Sequence, residues 1–173
     1  MVLKGIGVVL LLLGTTAFGV YQAGRYMHRL NNLYEIQKAF RYIQGEIRYL
    51  QSPLTETLEG ASYRVKGPCS RLFSKVACEL AEKKGMEFQK VWRDTVRQEI
   101  TAEVLDQEAR EELLEMGSQL GCLDGMTQEK AIDYFLEKWE EIIRQRCQEK
   151  ATRLKLYYVC GVTSGLLVVM VLI

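Results

Sequence analysis

A chain of 173 residues has room for one domain, and 48% hydrophobic residues with a mean hydropathy near zero looks like an ordinary soluble composition. The placement of charge says otherwise: all 22 acidic residues and all but one of the 23 basic ones lie between Arg25 and Lys155, with Lys4 the outlier. That middle has no net charge, which excludes a nucleic-acid binder needing a surplus of Lys and Arg, and its recurring apolar residues exclude long disorder.

Residues 5–24 carry no charge and reach about 30 Å as a helix, the thickness of a bilayer's hydrocarbon core. Arg25 and Arg29 follow this run, and Tyr21 and Tyr26 sit where an aromatic belt would lie. A cleaved leader is the competing reading, but no small-x-small exit site precedes Arg25 and cations stand on both sides. Thr15, Gly19 and Ala23 form a small-xxx-small ladder that allows close helix contact within the membrane.

Leu33, Ile36, Phe40, Ile43, Ile47 and Leu50 repeat at spacings of three and four, predicting an amphipathic helix. Ser52 before Pro53 reads as an N-cap followed by proline at the first helical position, opening a short helix to about Gly60. A break is expected at Gly67-Pro68. Leu72, Phe73, Val76, Ala77, Leu80 and Ala81 then mark a helix stopped near Gly85, and Phe88, Val91, Trp92 and Val96 mark the next. Leu113, Leu114, Gly117 and Leu120 mark another, ending at Gly121 in a left-handed stop. From a cap at Asp124 or Thr127 there is no Gly or Pro before Gly161, and Tyr134, Phe135, Trp139, Ile142 and Ile143 give one apolar side. One rod of about 70 Å is therefore expected to run into a second apolar segment, residues 156–173.

That second segment reaches about 27 Å, is preceded by Lys150, Arg153 and Lys155, and has Tyr157 and Tyr158 at its edge. Gly161 and Gly165 make a GxxxG, so packing between the two spans or between copies is expected. The fold class is all-α: an antiparallel bundle of about five or six helices in residues 25–155, flanked by transmembrane helices at both ends. The cation bias places the middle in the cytoplasm.

Enzyme chemistry has no sequence signature. The lone His28 reads as an interfacial side chain among basic neighbours. Cys69, Cys78, Cys122, Cys147 and Cys160 lack metal-ligand spacing and read as unpaired packing thiols. No phosphate-binding loop, dinucleotide fingerprint or nucleophile elbow occurs. No catalytic, cofactor-binding or metal-binding residue is assigned, and no cofactor is expected. The charges are nonetheless uneven. Glu99, Glu103, Asp106, Glu108, Glu111, Glu112 and Glu115 surround one base, Arg110, whereas the stretch from Arg64 to Arg97 holds nine bases and four acids. Solubilising surface is the plain reading of such a run; the sharper one makes Glu103, Asp106, Glu108, Glu111, Glu112 and Glu115 an acidic docking face for a basic partner.

Several short patterns occur in a set order: Glu46-Ile47-x-Tyr49, Pro53-Leu54-x-Glu56-x-Leu58, Phe73, Trp92, Gly117-x-x-Leu120-Gly121-x-x-Asp124-x-x-x-Gln128, Tyr157 and Gly161-x-x-x-Gly165. Together they resemble the stage III sporulation protein AB family over the whole chain, departing at Val91, where the family tends to have alanine. The matched residues also have structural readings: Pro53 starts a helix, Gly121 stops one, Asp124 starts the next, and Gln128 can hydrogen-bond back toward that turn. The resemblance implies a membrane subunit of the channel complex joining mother cell and forespore, similar in its helical domain to the F-type platform proteins of type II secretion and type IV pilus machines. It implies as partners the sporulation ATPase encoded beside it and other membrane subunits. It also implies a two-pass location in the outer forespore membrane, with the middle facing the mother-cell cytoplasm. A non-enzymatic scaffold accounts for the apolar ends and the charge asymmetry; a membrane-tethered sensor or regulatory module is the alternative, and a membrane enzyme the third.

Overall fold

The computed structural model describes the backbone of residues 2–50, 52–82, 87–120 and 125–172. The side chains of 2–13, 15, 16, 125, 126, 153, 154, 157, 158, 160–162 and 164–172 lie outside that description. The described residues form six α-helices: α1 Val2–Gly45, α2 Leu54–Arg64, α3 Gly67–Glu82, α4 Phe88–Glu99, α5 Gln107–Leu120 and α6 Gly125–Leu172. A π-helical turn, Glu46–Leu50, follows α1, and among the described residues there is no strand. The all-helical expectation therefore holds. Among the described residues no helix is long and apolar enough to cross a membrane, and most side chains of the two expected spans fall outside the description.

The chain divides into two compact units, Arg29–Arg144 and Met1–His28 with Gln145–Ile173, and α1 and α6 supply residues to both. In the Arg29–Arg144 unit the expected seam is real over Leu33, Ile36, Phe40 and Ile43, all buried. Ile47 packs only partly against the core and Leu50 is exposed, because the π turn winds through i→i+5 bonds and carries the last two positions out of phase with a 3.6-residue repeat. Phe40 lies at the centre of an aromatic cluster, with ring centroids 5.9 Å from Phe73, 6.1 Å from Trp92 and 4.3 Å from Phe135; Phe135 in turn lies 5.0 Å from Trp139. Both buried indoles are satisfied by helix carbonyls: Trp92 Nε1 donates to Leu113 O at 2.8 Å and Trp139 Nε1 to Leu33 O at 2.9 Å.

The start of α2 differs from the expectation. Pro53 occupies the capping position itself, with φ −55° and ψ 140°, and no side chain caps the helix. Ser52 instead donates from Oγ to Glu46 Oε2 at 3.1 Å, which ties the loop to the π turn. The helix also runs past Gly60 to Arg64, because Gly60 is packed there rather than a stop: a Cβ at this position would stand 2.5 Å from Tyr42 Oη. Gly67 adopts φ +62°, a left-handed value that glycine tolerates, and with Pro68 it opens α3 in the first helical turn. Gly85, Gly121 and Asp124, read as helix stops and a cap, lie outside the described residues.

Antiparallel pairing of α1 and α6 within this unit is fixed from several points. Trp139 reaches Leu33, Arg41 pairs with Glu140 at 2.5 Å, Gln44 donates to Asp133, and Arg48 pairs with Glu129 and Asp133. Because residue numbers rise on one helix as they fall on the other, these contacts hold one register.

In the second unit Tyr26 Oη donates to Arg146 O at 2.6 Å. Gly19 and Ala23 are buried, while Phe18 and Tyr21 are 63% and 60% exposed.

Candidate functional site

The acidic block is divided by the fold into carboxylates used internally and carboxylates turned outward. Glu99 ends α4 and is nearly enclosed; Arg71 Nε pairs with it at 2.8 Å and Lys75 Nζ joins from the next turn of α3. Hydrogen bonds from Lys75 first, then Arg71, hold its carboxyl below the usual carboxylate range. After Ile100, whose N–H bonds to Val96 O, the chain turns through Thr101 to the buried Leu105. Asp106 then caps α5: its Oδ1 accepts from Ala109 N at 3.1 Å. Glu112 faces α6 and accepts from Lys138 Nζ at 3.2 Å, which pushes the Lys138 pKa up.

Two of the six expected docking residues, Asp106 and Glu112, are thus committed inside the bundle. The other four are exposed: Glu103 in the turn, and Glu108, Glu111 and Glu115 on α5. The helical spacing of 3 and 4 puts that trio in one row along two turns. Gln107 Nε2 supports Glu111 at 2.8 Å. The contacts Lys138 to Glu112 and Gln128 to Leu120 O set an antiparallel register between α5 and α6, with Tyr134 one turn before Lys138 on α6. Tyr134 is half exposed, with its ring under Lys138 Nζ at 4.9 Å. A row of exposed carboxylates suits arginine or lysine side chains of a partner.

Several family-pattern residues make packing or backbone contacts. Glu46 holds Ser52 and accepts from the Tyr42 hydroxyl, which together with burial raises the Tyr42 pKa. Arg64 lies over the Tyr42 ring at 3.7 Å. Tyr49 is exposed on the π turn. Gln128 Nε2 donates to Leu120 O at 3.0 Å, the back-bond expected for it. Gly117 has a role that the sequence alone did not give. A Cβ there would meet Trp92 Cδ1 at 1.8 Å, so α5 lets the indole lie directly on its backbone.

Of the expected small-residue contacts, Gly19 and Ala23 are buried; the Thr15 side chain, Gly161 and Gly165 lie outside the described residues. Cys69 is buried, its thiol pushed up to about 12 by burial above all, and Sγ donates to Asn32 O at 3.7 Å. Cys78 and Cys147 are exposed and in no disulfide, whereas Cys122 and the Cys160 side chain are outside the description. His28 is exposed. Among the described residues no group of three or more His, Cys, Asp or Glu could hold a metal ion.

The family profile of stage III sporulation protein AB matches residues 4–173. This chain belongs to the stage III sporulation protein AB family. It is similar to stage III sporulation protein AB of Bacillus subtilis (strain 168), 27% identical over 171 residues, which is 98% of this chain and 99% of the relative. It is also similar in fold to a solved structure of stage III sporulation protein AB (SpoIIIAB), with a TM-score of 0.66 and 22% identity, covering 72% of this chain and 98% of that one. Membership of the family brings a role in sporulation.

Proposed function

We propose that the chain is a non-enzymatic membrane scaffold of the mother cell–forespore channel, anchored by residues 5–24 and 156–173 and presenting its helical bundle to a cytoplasmic ATPase. The observation that carries this reading is the apolar exterior of the terminal unit: among its described residues only Gly19 and Ala23 are buried, while Phe18, Val20, Tyr21, Leu156 and Val159 face outward. In water such a surface has no driving force to remain open. In hydrocarbon, close contact through small residues with large apolar side chains outside is the stable arrangement. The cations Arg25, Arg29, Lys150, Arg153 and Lys155 next to these ends favour a cytoplasmic middle, here the mother-cell side of the outer forespore membrane.

The outward row Glu108, Glu111 and Glu115 is the face offered to the ATPase, reading a basic surface by charge and geometry. Glu111→Lys with Glu115→Lys is expected to abolish recovery of the ATPase from sporulating cells by the tagged full chain. Helicity and abundance should stay unchanged, since neither side chain packs in the core. Undiminished recovery would remove this face from the proposal. Orientation has its own probe in Cys78, because Cys69 is sealed in the core. With Cys78 and Cys69 the only thiols kept and the full chain expressed in the plasma membrane of vegetative cells, an impermeant maleimide should label it only after permeabilisation, and labelling of intact cells would contradict a cytoplasmic middle.

A further inference from the structure

A second surface is concave. Between α2 and α3 lies a groove of about 490 Å³, lined by Thr55, Glu56, Glu59 and Tyr63 on one wall and by Ser74, Ala77, Cys78 and Ala81 on the other. The α3 wall has small side chains at i, i+3, i+4 and i+7, so a third helix can approach it closely. Its rim is acidic: Glu56 and Glu59 stand along α2, and Glu82, bonded to the Cys78 thiol at 3.4 Å, extends the α3 side. Tyr63 is 79% exposed and donates to Glu59 Oε1 at 3.1 Å, which leaves an aromatic ring open to solvent beside that carboxylate. The nearby bases of α3, Arg71 and Lys75, are paired with Glu99 of α4 rather than with the rim carboxylates.

The complementary surface is present on the same molecule. The outer edge of α4 exposes Lys90, Arg93 and Arg97, spaced 3 and 4 along two turns with a single acid, Asp94, among them, and none of the three bases makes an ion pair among the described residues. Its other sides are occupied: Glu99 packs toward α3, and Trp92 and Gln89 bond to α5 at Leu113 O and Ser118 O. Among the described residues no ion pair joins these α4 bases to Glu56, Glu59 or Glu82 of the groove.

We propose that the basic edge of α4 in one copy docks into the acid-rimmed α2–α3 groove of a second copy, joining chains head to tail. Such a contact is heterologous, so each added copy presents a fresh groove or a fresh edge. It goes beyond ATPase docking and uses a different face. Exposed ion pairs are individually weak, so the contact is expected to be salt-sensitive and to hold through several charges at once.

Site-directed cross-linking in the purified full chain tests it. One tagged copy keeps Cys78; the other carries Cys78→Ser and Asp94→Cys; both keep buried Cys69 and have serine at 122, 147 and 160. A short bismaleimide should join Cys78 of the first to position 94 of the second, with loss of the product at 0.5 M salt. Arg93→Glu with Arg97→Glu on the second copy should abolish the product, and Glu56→Lys with Glu59→Lys on the first should restore it. Restoration by charge exchange separates docking from misfolding. No product between copies, or a product indifferent to both reversals, overturns the proposal. So does a Cys78 adduct formed in sporulating membranes with a different protein and none between copies, which would give the groove to another subunit's basic helix.

Discussion

In the Arg29–Arg144 unit Phe40, Phe73, Trp92, Phe135 and Trp139 are inside and most charges are outside. In the terminal unit Gly19 and Ala23 are inside, and Phe18, Val20 and Tyr21 are outside. Both pack helix against helix, and both close their interior with side chains at helical spacing. What differs is that the only buried positions described in the terminal unit are small, Gly19 and Ala23, although Gly14, Ala17 and Gly24 are exposed there, whereas large apolar side chains fill the other core. Large apolar groups are buried where water drives them inward, and small ones where close backbone contact is what a helix pair gains. One polypeptide thus carries two packing rules, and the change between them falls near His28 and Gln145.

The comparison is broken most severely from inside the bundle. Phe40→Ala removes the ring shared by three aromatic neighbours and is expected to cost about 3–5 kcal/mol in denaturant unfolding of the full chain. Gly117→Ala should cost about 3 kcal/mol, because the added methyl collides with Trp92. Combining it with Trp92→Phe should give less than the sum of the two, and strict additivity would refute a shared contact. In the terminal unit the expected effect of size reverses. Ala23→Leu should cost about 1–3 kcal/mol by forcing the helices apart, whereas Phe18→Ala should stay within about 0.5 kcal/mol in detergent. Equal losses for the two would end the distinction between the units.

Smaller effects belong to the charged surface. Glu99→Gln is expected to cost less than about 1 kcal/mol at neutral pH, since Arg71 and Lys75 are half exposed. The folded carboxyl is held below its ordinary range, so the contribution is complete above the unfolded value and is lost as pH falls through the folded one. The difference between Glu99→Gln and the parent should therefore shrink in acid. Cys69, protonated up to about 12, should resist maleimide in the folded chain at pH 8 while Cys147 reacts.

Helical class and the seam through Ile43 were legible in the sequence because a 3.6-residue period survives wherever one face packs. The seam failed at Leu50 because a π turn shifts the phase without any composition signal. The same limit explains Gly60 and Gly117: glycine in a helix reads as a weak point or a stop, yet each is a landing place for an aromatic ring from another helix. The acidic run gave the sign of a surface but not its membership. Whether a carboxylate caps a helix like Asp106, clamps a neighbour like Glu99 or Glu112, or faces outward like Glu111 depends on partners distant in sequence. The α2–α3 groove had no sequence signature, because two helices build it jointly.

The apolar exterior of the ends is tested most directly by extracting membranes of sporulating cells with alkaline carbonate and following the intact chain. Retention in the lipid pellet, with release only by detergent, is the expected result; recovery of the full-length chain in the carbonate supernatant would contradict bilayer anchoring.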